Sequence, residues 1–132
     1  MKTRLVKDWM TENVVTIAPD ASVQEAHQLM REKSVRRLPV VKKGKLVGLL
    51  SLGDVREATH DEAHLKVREV MAQNVVAVGI GDTIKTAAML MYTNKIGALP
   101  VIDNHDQLVG IITESDIFKV LIMWFSEEEA NA

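Results

Sequence analysis

The chain repeats itself. Displaced by 61 residues, Val6 falls on Val67, Met10 on Met71, and Asn13-Val14-Val15 on Asn74-Val75-Val76. The same displacement lays Leu29-Met30 on Leu90-Met91 and Leu38-Pro39-Val40 on Leu99-Pro100-Val101. One extra residue in a later turn makes the displacement 62, after which Leu46-Val47-Gly48 meets Leu108-Val109-Gly110 and Asp54 meets Asp116. Self-similarity at a fixed period means one supersecondary unit used twice. Each copy is ~60 residues, a size whose core is marginal alone. The apolar faces of the two copies are therefore expected to pack together about a pseudo-two-fold axis, as one folding unit.

Within a copy the elements read β-α-β-β-α, an α/β (α+β) architecture. Residues 6–10 form an apolar-polar lead-in, expected to be a helical turn. Val14-Val15-Thr16-Ile17 is β-branched throughout and predicts a short strand, stopped by Pro19. Ser22 and Glu25 have capping-box spacing, and Val23, Ala26, Leu29 and Met30 share one helical face ending near Ser34. Residues 38–41 and 46–50 predict two strands around a turn in which Gly44 supplies the positive φ, with Pro39 at a strand start or edge. A second helix starts near Ser51 and runs into Ala58. The second copy repeats this with a strand over residues 75–78, a helix over 83–92, a hairpin over 103–106 and a helix from Thr113. The expected domains are residues 1–60 and 61–126, with residues 127–132 fraying.

Both copies end their last strand in one phrase, a glycine, two aliphatics, a hydroxyl residue, two variable positions and an aspartate: residues 48–54 and 110–116. Ser51 and Thr113 sit where a helix N-cap belongs, and Asp54 and Asp116 at the third helical position, where a carboxylate suits the dipole. One copy alone would be a common cap. Two place a hydroxyl, amides and a carboxylate together twice.

Composition excludes several classes. Hydrophobic residues are 47% and charged residues 26%, which is globular material. A net charge of −2 gives no support for nucleic-acid binding, and the basic turn Lys42-Lys43-Gly44-Lys45 reads as a soluble hairpin tip. Charge is uneven: residues 1–61 carry eleven basic and eight acidic side chains, residues 62–132 five and ten. The first half therefore favours an anion more. The absence of cysteine removes disulfides and thiolate chemistry and agrees with a cytoplasmic protein. No secretory signal opens the chain, and the apolar run over residues 120–125 falls far short of the ~20 residues a membrane span needs. His60 and His64 have the spacing of two metal ligands on a helix, but with only Asp61 and Glu62 nearby a solvated linker is the expectation, and no metal site is assigned. His27 and His105 are expected at the surface. Phosphate-loop, dinucleotide and nucleophile-elbow motifs are all missing, so no catalytic residues are assigned and no enzyme is expected. The stretch 117–125 is apolar nearly all round a helix. Either it folds back beside Trp9 and Met10, or, as favoured here, a second copy covers it in a homodimer.

The lead-in VKDWMTENVVTIAPDASVQEA, the strand RRLPVV, the phrase KLVGLLSLGDV and their second copies resemble tandem CBS domains, the Bateman module named after cystathionine β-synthase. The resemblance runs from about Val6 to about Val120. It implies a regulatory module with two clefts between the paired motifs that take adenosine derivatives: AMP, ADP, ATP or S-adenosylmethionine. It implies also that two modules pair as a disc. In the family the aspartate of the phrase holds the ribose diol and its hydroxyl residue meets phosphate. Residues of the opposite copy's first strand line the adenine. Carried over, one cleft would use Thr113 and Asp116 with Thr16, Ile17 and Ala18. The other would use Ser51 and Asp54 with Ala77, Val78 and Gly79.

The copies differ at these positions. Ala77 lacks the hydroxyl of Thr16, and Gly97-Ala98 stand where the first copy has Arg36-Arg37, either of which could reach a phosphate. The Asp116 cleft is therefore expected to be the better site. The function expected is a stand-alone sensor that signals nucleotide occupancy to a regulated protein outside this chain, with no required cofactor. The alternative is a scaffold whose clefts are empty.

Overall fold

The computed structural model describes residues 4–131, and the chain divides into two compact units. One, called here the first unit, comprises Val14–Val75 with Asp106–Leu108. The second comprises the chain up to Asn13, Val76–His105 and the chain from Val109 on.

The first unit contains α1 (Val23–Lys33), β1 (Arg37–Lys42), β2 (Lys45–Ser51), α2 (Leu52–Glu57), a 3-10 turn at Thr59–Asp61 and α3 (Val67–Val70). Local chemistry sets the boundaries. Ser22 Oγ accepts the Glu25 N–H at 3.0 Å to open α1, and Ser34, left-handed at φ 54, closes it. β1 and β2 are antiparallel, with Leu38 opposite Leu50 and Val40 opposite Gly48. The Lys43-Gly44 turn has φ of 53 and 82, the pair of positive values that matches strand twist in a two-residue hairpin. Val23, Ala26 and Met30 of α1 pack on Leu38, Val40, Leu50, Val55 and Val67 as one buried cluster.

The second unit contains a 3-10 turn at Val6–Asp8, β3 (Val78–Gly79), α4 (Ile84–Asn94), β4 (Ala98–Ile102), β5 (Leu108–Thr113) from its second residue on, and α5 (Glu114–Ala130). Its sheet runs β3-β4-β5, with β3 parallel to β4. Thr83 Oγ1 caps α4 by accepting the Thr86 N–H at 3.1 Å. The buried cluster is Val6, Val78, Ile84, Ala87, Met91, Leu99, Val101, Ile112 and Val120.

Sequence repeats and spatial units do not coincide. The lead-in of the first repeat lies in the second unit, where Thr11 and Ile111 exchange N–H···O bonds of 2.9 and 3.0 Å. The lead-in of the second repeat lies in the first unit, where Leu49 and Ala72 do the same at 3.0 and 2.9 Å. The glycine of each phrase makes room for this strand. A Cβ on Gly110 would sit 2.6 Å from Met10 Sδ and 2.9 Å from the Thr11 carbonyl oxygen. On Gly48 it would sit 2.4 Å from Met71 Sδ and 3.0 Å from the Ala72 carbonyl oxygen.

Three expectations are corrected. The strand over residues 14–17 is a single parallel bridge, Ile17 to Val40. Ile17 N–H donates to the Pro39 carbonyl at 3.1 Å and Val41 N–H to Ile17 at 3.0 Å. The next donor along would be residue 19, a proline without an N–H. In the second unit the matching residue, Ile80, donates to the Ile102 carbonyl at 3.1 Å, and the strand forms at Val78–Gly79 instead of over residues 75–78. At the C-terminal end α5 continues through Ala130 on good helix formers and ends at Asn131; Ala132 lies outside the described residues. Finally, His27 is half-buried, its Nδ1 2.5 Å from Glu62 Oε1.

Candidate functional site

Each unit carries one copy of the repeated phrase at the junction of a strand and a helix. In the first unit Ser51 ends β2 and caps α2. Its Oγ accepts the Asp54 N–H at 3.1 Å, and its own N–H donates to Asp54 Oδ2 at 2.9 Å. This is the reciprocal capping box expected from the spacing. Asp54 is half-buried.

The second unit uses the same spacing differently. Thr113 N–H donates to Asp116 Oδ2 at 2.9 Å, and Thr113 Oγ1 donates to that same oxygen at 3.2 Å. The hydroxyl here serves the carboxylate. Asp116 is 7% exposed, the one buried charged residue among those described. The helix behind it also differs. α5 has 17 residues and α2 has six, so the aligned dipole at Thr113 is the more developed.

The remaining site residues fall as follows. In the first unit Ile17 is half-buried beside β1, with Thr16 and Ala18 exposed on either side. Arg37 is directly opposite Ser51 in the β1–β2 ladder, so the two share a face. Arg36 and Arg37 are both exposed, and the Arg36 carbonyl accepts the Leu52 N–H at 2.8 Å. In the second unit Val78 is buried, Ala77 half-buried, and the Gly79 N–H already donates to Asp82 Oδ2 at 2.7 Å. Gly97 takes the place of Arg36, its carbonyl accepting from Glu114 N–H at 3.0 Å. Thus the first unit holds Thr16, Ile17, Ala18, Arg36, Arg37, Ser51 and Asp54, and the second holds Ala77, Val78, Gly79, Thr113 and Asp116.

A hollow of about 210 Å³ beside Asp54 is lined by Glu57, Ala58, His60, Leu65 and Val70. It is below the ~300–1,000 Å³ usual for small-molecule sites. No cluster of three or more His, Asp or Glu able to hold a metal occurs among the described residues, and His64 Nδ1 is engaged by Asp61 Oδ1 at 2.8 Å. No helix among them is long and apolar enough to cross a membrane. The role of Asp82 was not foreseen, although its place three residues after Gly79 is the signal that would have found it. The His27–Glu62 pair carried no local signal, being 35 residues apart.

Comparison with known proteins gives a consistent picture. The family model described as CBS domain matches residues 6–61 and 67–123. Protein MJ1225 of Methanocaldococcus jannaschii is 32% identical over 136 residues, covering 89% of this chain and 47% of the relative, so the chain spans about half the length of that relative. Among solved structures, CBSX2 of Arabidopsis thaliana in complex with AMP superposes with a TM-score of 0.84 at 28% identity, covering 91% of this chain and 97% of that one. The CBS domain pair of protein MJ0100, in complex with 5-methylthioadenosine and S-adenosyl-L-methionine, gives 0.81 at 28%, covering 90% and 96%.

Proposed function

The chain belongs to the CBS domain family, carrying its repeat twice, and on that premise we propose that it is a regulatory module for an adenosine-containing ligand. The ligand class is AMP, ADP, ATP or S-adenosylmethionine, and occupancy passes to a regulated protein by a change of conformation. The observation that carries this reading is Asp116, a buried carboxylate at the start of α5 held through Oδ2 by the Thr113 N–H and hydroxyl. A ribose cis-diol can donate to such a carboxylate, each charge-assisted bond contributing ~1.5–3 kcal/mol. A phosphate finds free amides and a favourable dipole at the start of α5. The ligands carried by CBSX2 and MJ0100 support the chemical class.

In this reading Thr16, Ile17 and Ala18 receive the adenine of the ligand held by Asp116 and Thr113, and Arg36 or Arg37 approaches its phosphate. Ser51 and Asp54, with Ala77, Val78 and Gly79, make the weaker site. Gly79 has committed its N–H to Asp82, and the hollow at Asp54 is small. Those two observations favour a second reading for that site alone, an interaction surface without ligand. Signalling is population shift: a ligand that binds one packing better draws the chain into it. The module regulates and does not catalyse, acts in the cytoplasm, requires no metal or cofactor, and works as a homodimer.

Thermal-shift melting against AMP, ADP, ATP and S-adenosylmethionine tests this. A ligand at 100 times its dissociation constant adds ~2.7 kcal/mol. The expected result is a raised melting temperature with at least one ligand, lost in Asp116→Ala when each protein is compared with its own ligand-free melt. No shift with any ligand overturns the sensor and moves the reading to a scaffold.

A further inference from the structure

Among the described residues one buried side-chain nitrogen has no hydrogen-bond partner, the indole Nε1 of Trp9. A donor taken out of water without an acceptor is destabilising, and native structures seldom keep one without a use. Trp9 follows the 3-10 turn of the lead-in and is half-buried, packed against the core cluster of the second unit.

Two independent observations put Trp9 beside Thr113 and Asp116, which belong to the same unit. The first is register. Thr11 and Ile111 form an antiparallel bridge. In an antiparallel pair the residue two before one partner lies alongside the residue two after the other, and those residues are Trp9 and Thr113. The second observation comes from the other repeat. There the bridge is Leu49 to Ala72, and the same count sets Val70 alongside Ser51. Val70 and Asp54 line one hollow together. Trp9 is the counterpart of Val70, as Asp116 is of Asp54. The larger side chain goes with the more enclosed carboxylate: Asp116 is buried where Asp54 is half-buried. Val120, one turn beyond Asp116 on the same side of α5, belongs to the cluster that Trp9 packs against.

We propose that Trp9 is a binding residue of the Asp116 site, its indole N–H donating to an oxygen of the ribose diol that donates to Asp116. An ionised carboxylate only accepts and an indole N–H only donates, whereas a hydroxyl does both. An intact diol therefore satisfies the two together, and a group that only donates or only accepts leaves one of them without a partner. Val70 offers no donor at the matching place, which adds to the asymmetry between the sites. This role rests on the adenosine reading above and adds to it the residue that selects the diol.

The first measurement needs no change at Trp9. The chain has two tryptophans, so Trp124→Phe, at an exposed position, leaves the Trp9 indole N–H as the one such resonance in a nitrogen-15 spectrum. That resonance is expected to move downfield when AMP, ADP, ATP or S-adenosylmethionine binds. Calorimetry with AMP, 2′-deoxy-AMP and 3′-deoxy-AMP then compares the unaltered chain with Trp9→Phe, which keeps an aromatic ring and removes the N–H. The variant is expected to bind AMP about 10-fold more weakly, the worth of one hydrogen bond. It should bind one of the two deoxy nucleotides as the unaltered chain does, because the acceptor is already gone. A resonance that stays in place while a ligand raises the melting temperature overturns the proposal. So does an equal loss for all three nucleotides, which would make Trp9 a packing residue. AMP binding that ignores Trp9→Phe removes Trp9 and leaves the sensor standing; a chain that no ligand stabilises overturns both.

Discussion

Pro19 and Ile80 occupy the same place in the two repeats, and the pair shows how far one N–H reaches. Ile80 has it and bonds the Ile102 carbonyl, so β3 forms beside β4. Pro19 lacks it, and the first repeat keeps a single bridge at Ile17. The phrases differ in the same manner. Ser51 accepts a backbone amide, as a cap does, while Thr113 turns its hydroxyl onto Asp116. Matching spacing therefore gives matching backbone, while the identity of a single side chain decides whether it serves the helix or the carboxylate. The lesson for function is asymmetry. The second repeat has the buried carboxylate and the long helix, and the first has the arginines and a half-buried aspartate.

Predictions follow that comparison downward in size. Where the units are alike, they should break alike. Gly110→Val forces a side chain into Met10 and the Thr11 carbonyl, and Gly48→Val does the same to Met71 and Ala72. Each is expected to lower stability by about 3 kcal/mol in urea denaturation. A loss at one glycine and not the other would mean that the two lead-ins are held differently.

Where the units differ in chemistry, ligand binding should separate them. By calorimetry Asp116→Ala is expected to weaken an adenosine ligand about 100-fold, from the two charge-assisted bonds removed. Asp54→Ala should change that affinity little. Two equivalent sites per chain would end the claim of asymmetry.

The strand difference has its own test. Ile80→Pro removes the bond to Ile102 and should cost about 2 kcal/mol, with lost hydrogen-exchange protection across β3. Unchanged protection would show that the N–H is not what separates the repeats. The smallest effect is at the caps. Ser51→Ala is expected to cost about 1 kcal/mol. Thr113→Ala should cost less, since the Thr113 hydroxyl bonds the Asp116 carboxylate and caps no helix N–H, as the Ser51 hydroxyl does. Thermal melts without ligand measure both, and the reverse order would contradict the geometry described.

Much of this was legible in the residues because it is local. The repeat, the α/β element order, the caps at Ser22 and Thr83 and the turn at Gly44 depend on side chains within a few positions of one another, and local geometry fixes them. The family followed from the same patterns. The strand at residues 14–17 was misjudged because β-branched residues state a preference, whereas a ladder needs donors on both sides, and Pro19 withdraws one.

What the sequence determined by itself is a unit written twice, with a hydroxyl and a carboxylate at the start of the last helix of each. What only the tertiary structure decided is which side chains share a unit. Thr11 bonds Ile111, a hundred residues away, and Gly110 is small because that strand passes over it. Nor does the phrase say which aspartate is buried: Asp54 and Asp116 share spacing and differ in burial. Burial depends on everything packed around a residue, including segments from the far end of the chain, and no window of neighbouring residues contains that information.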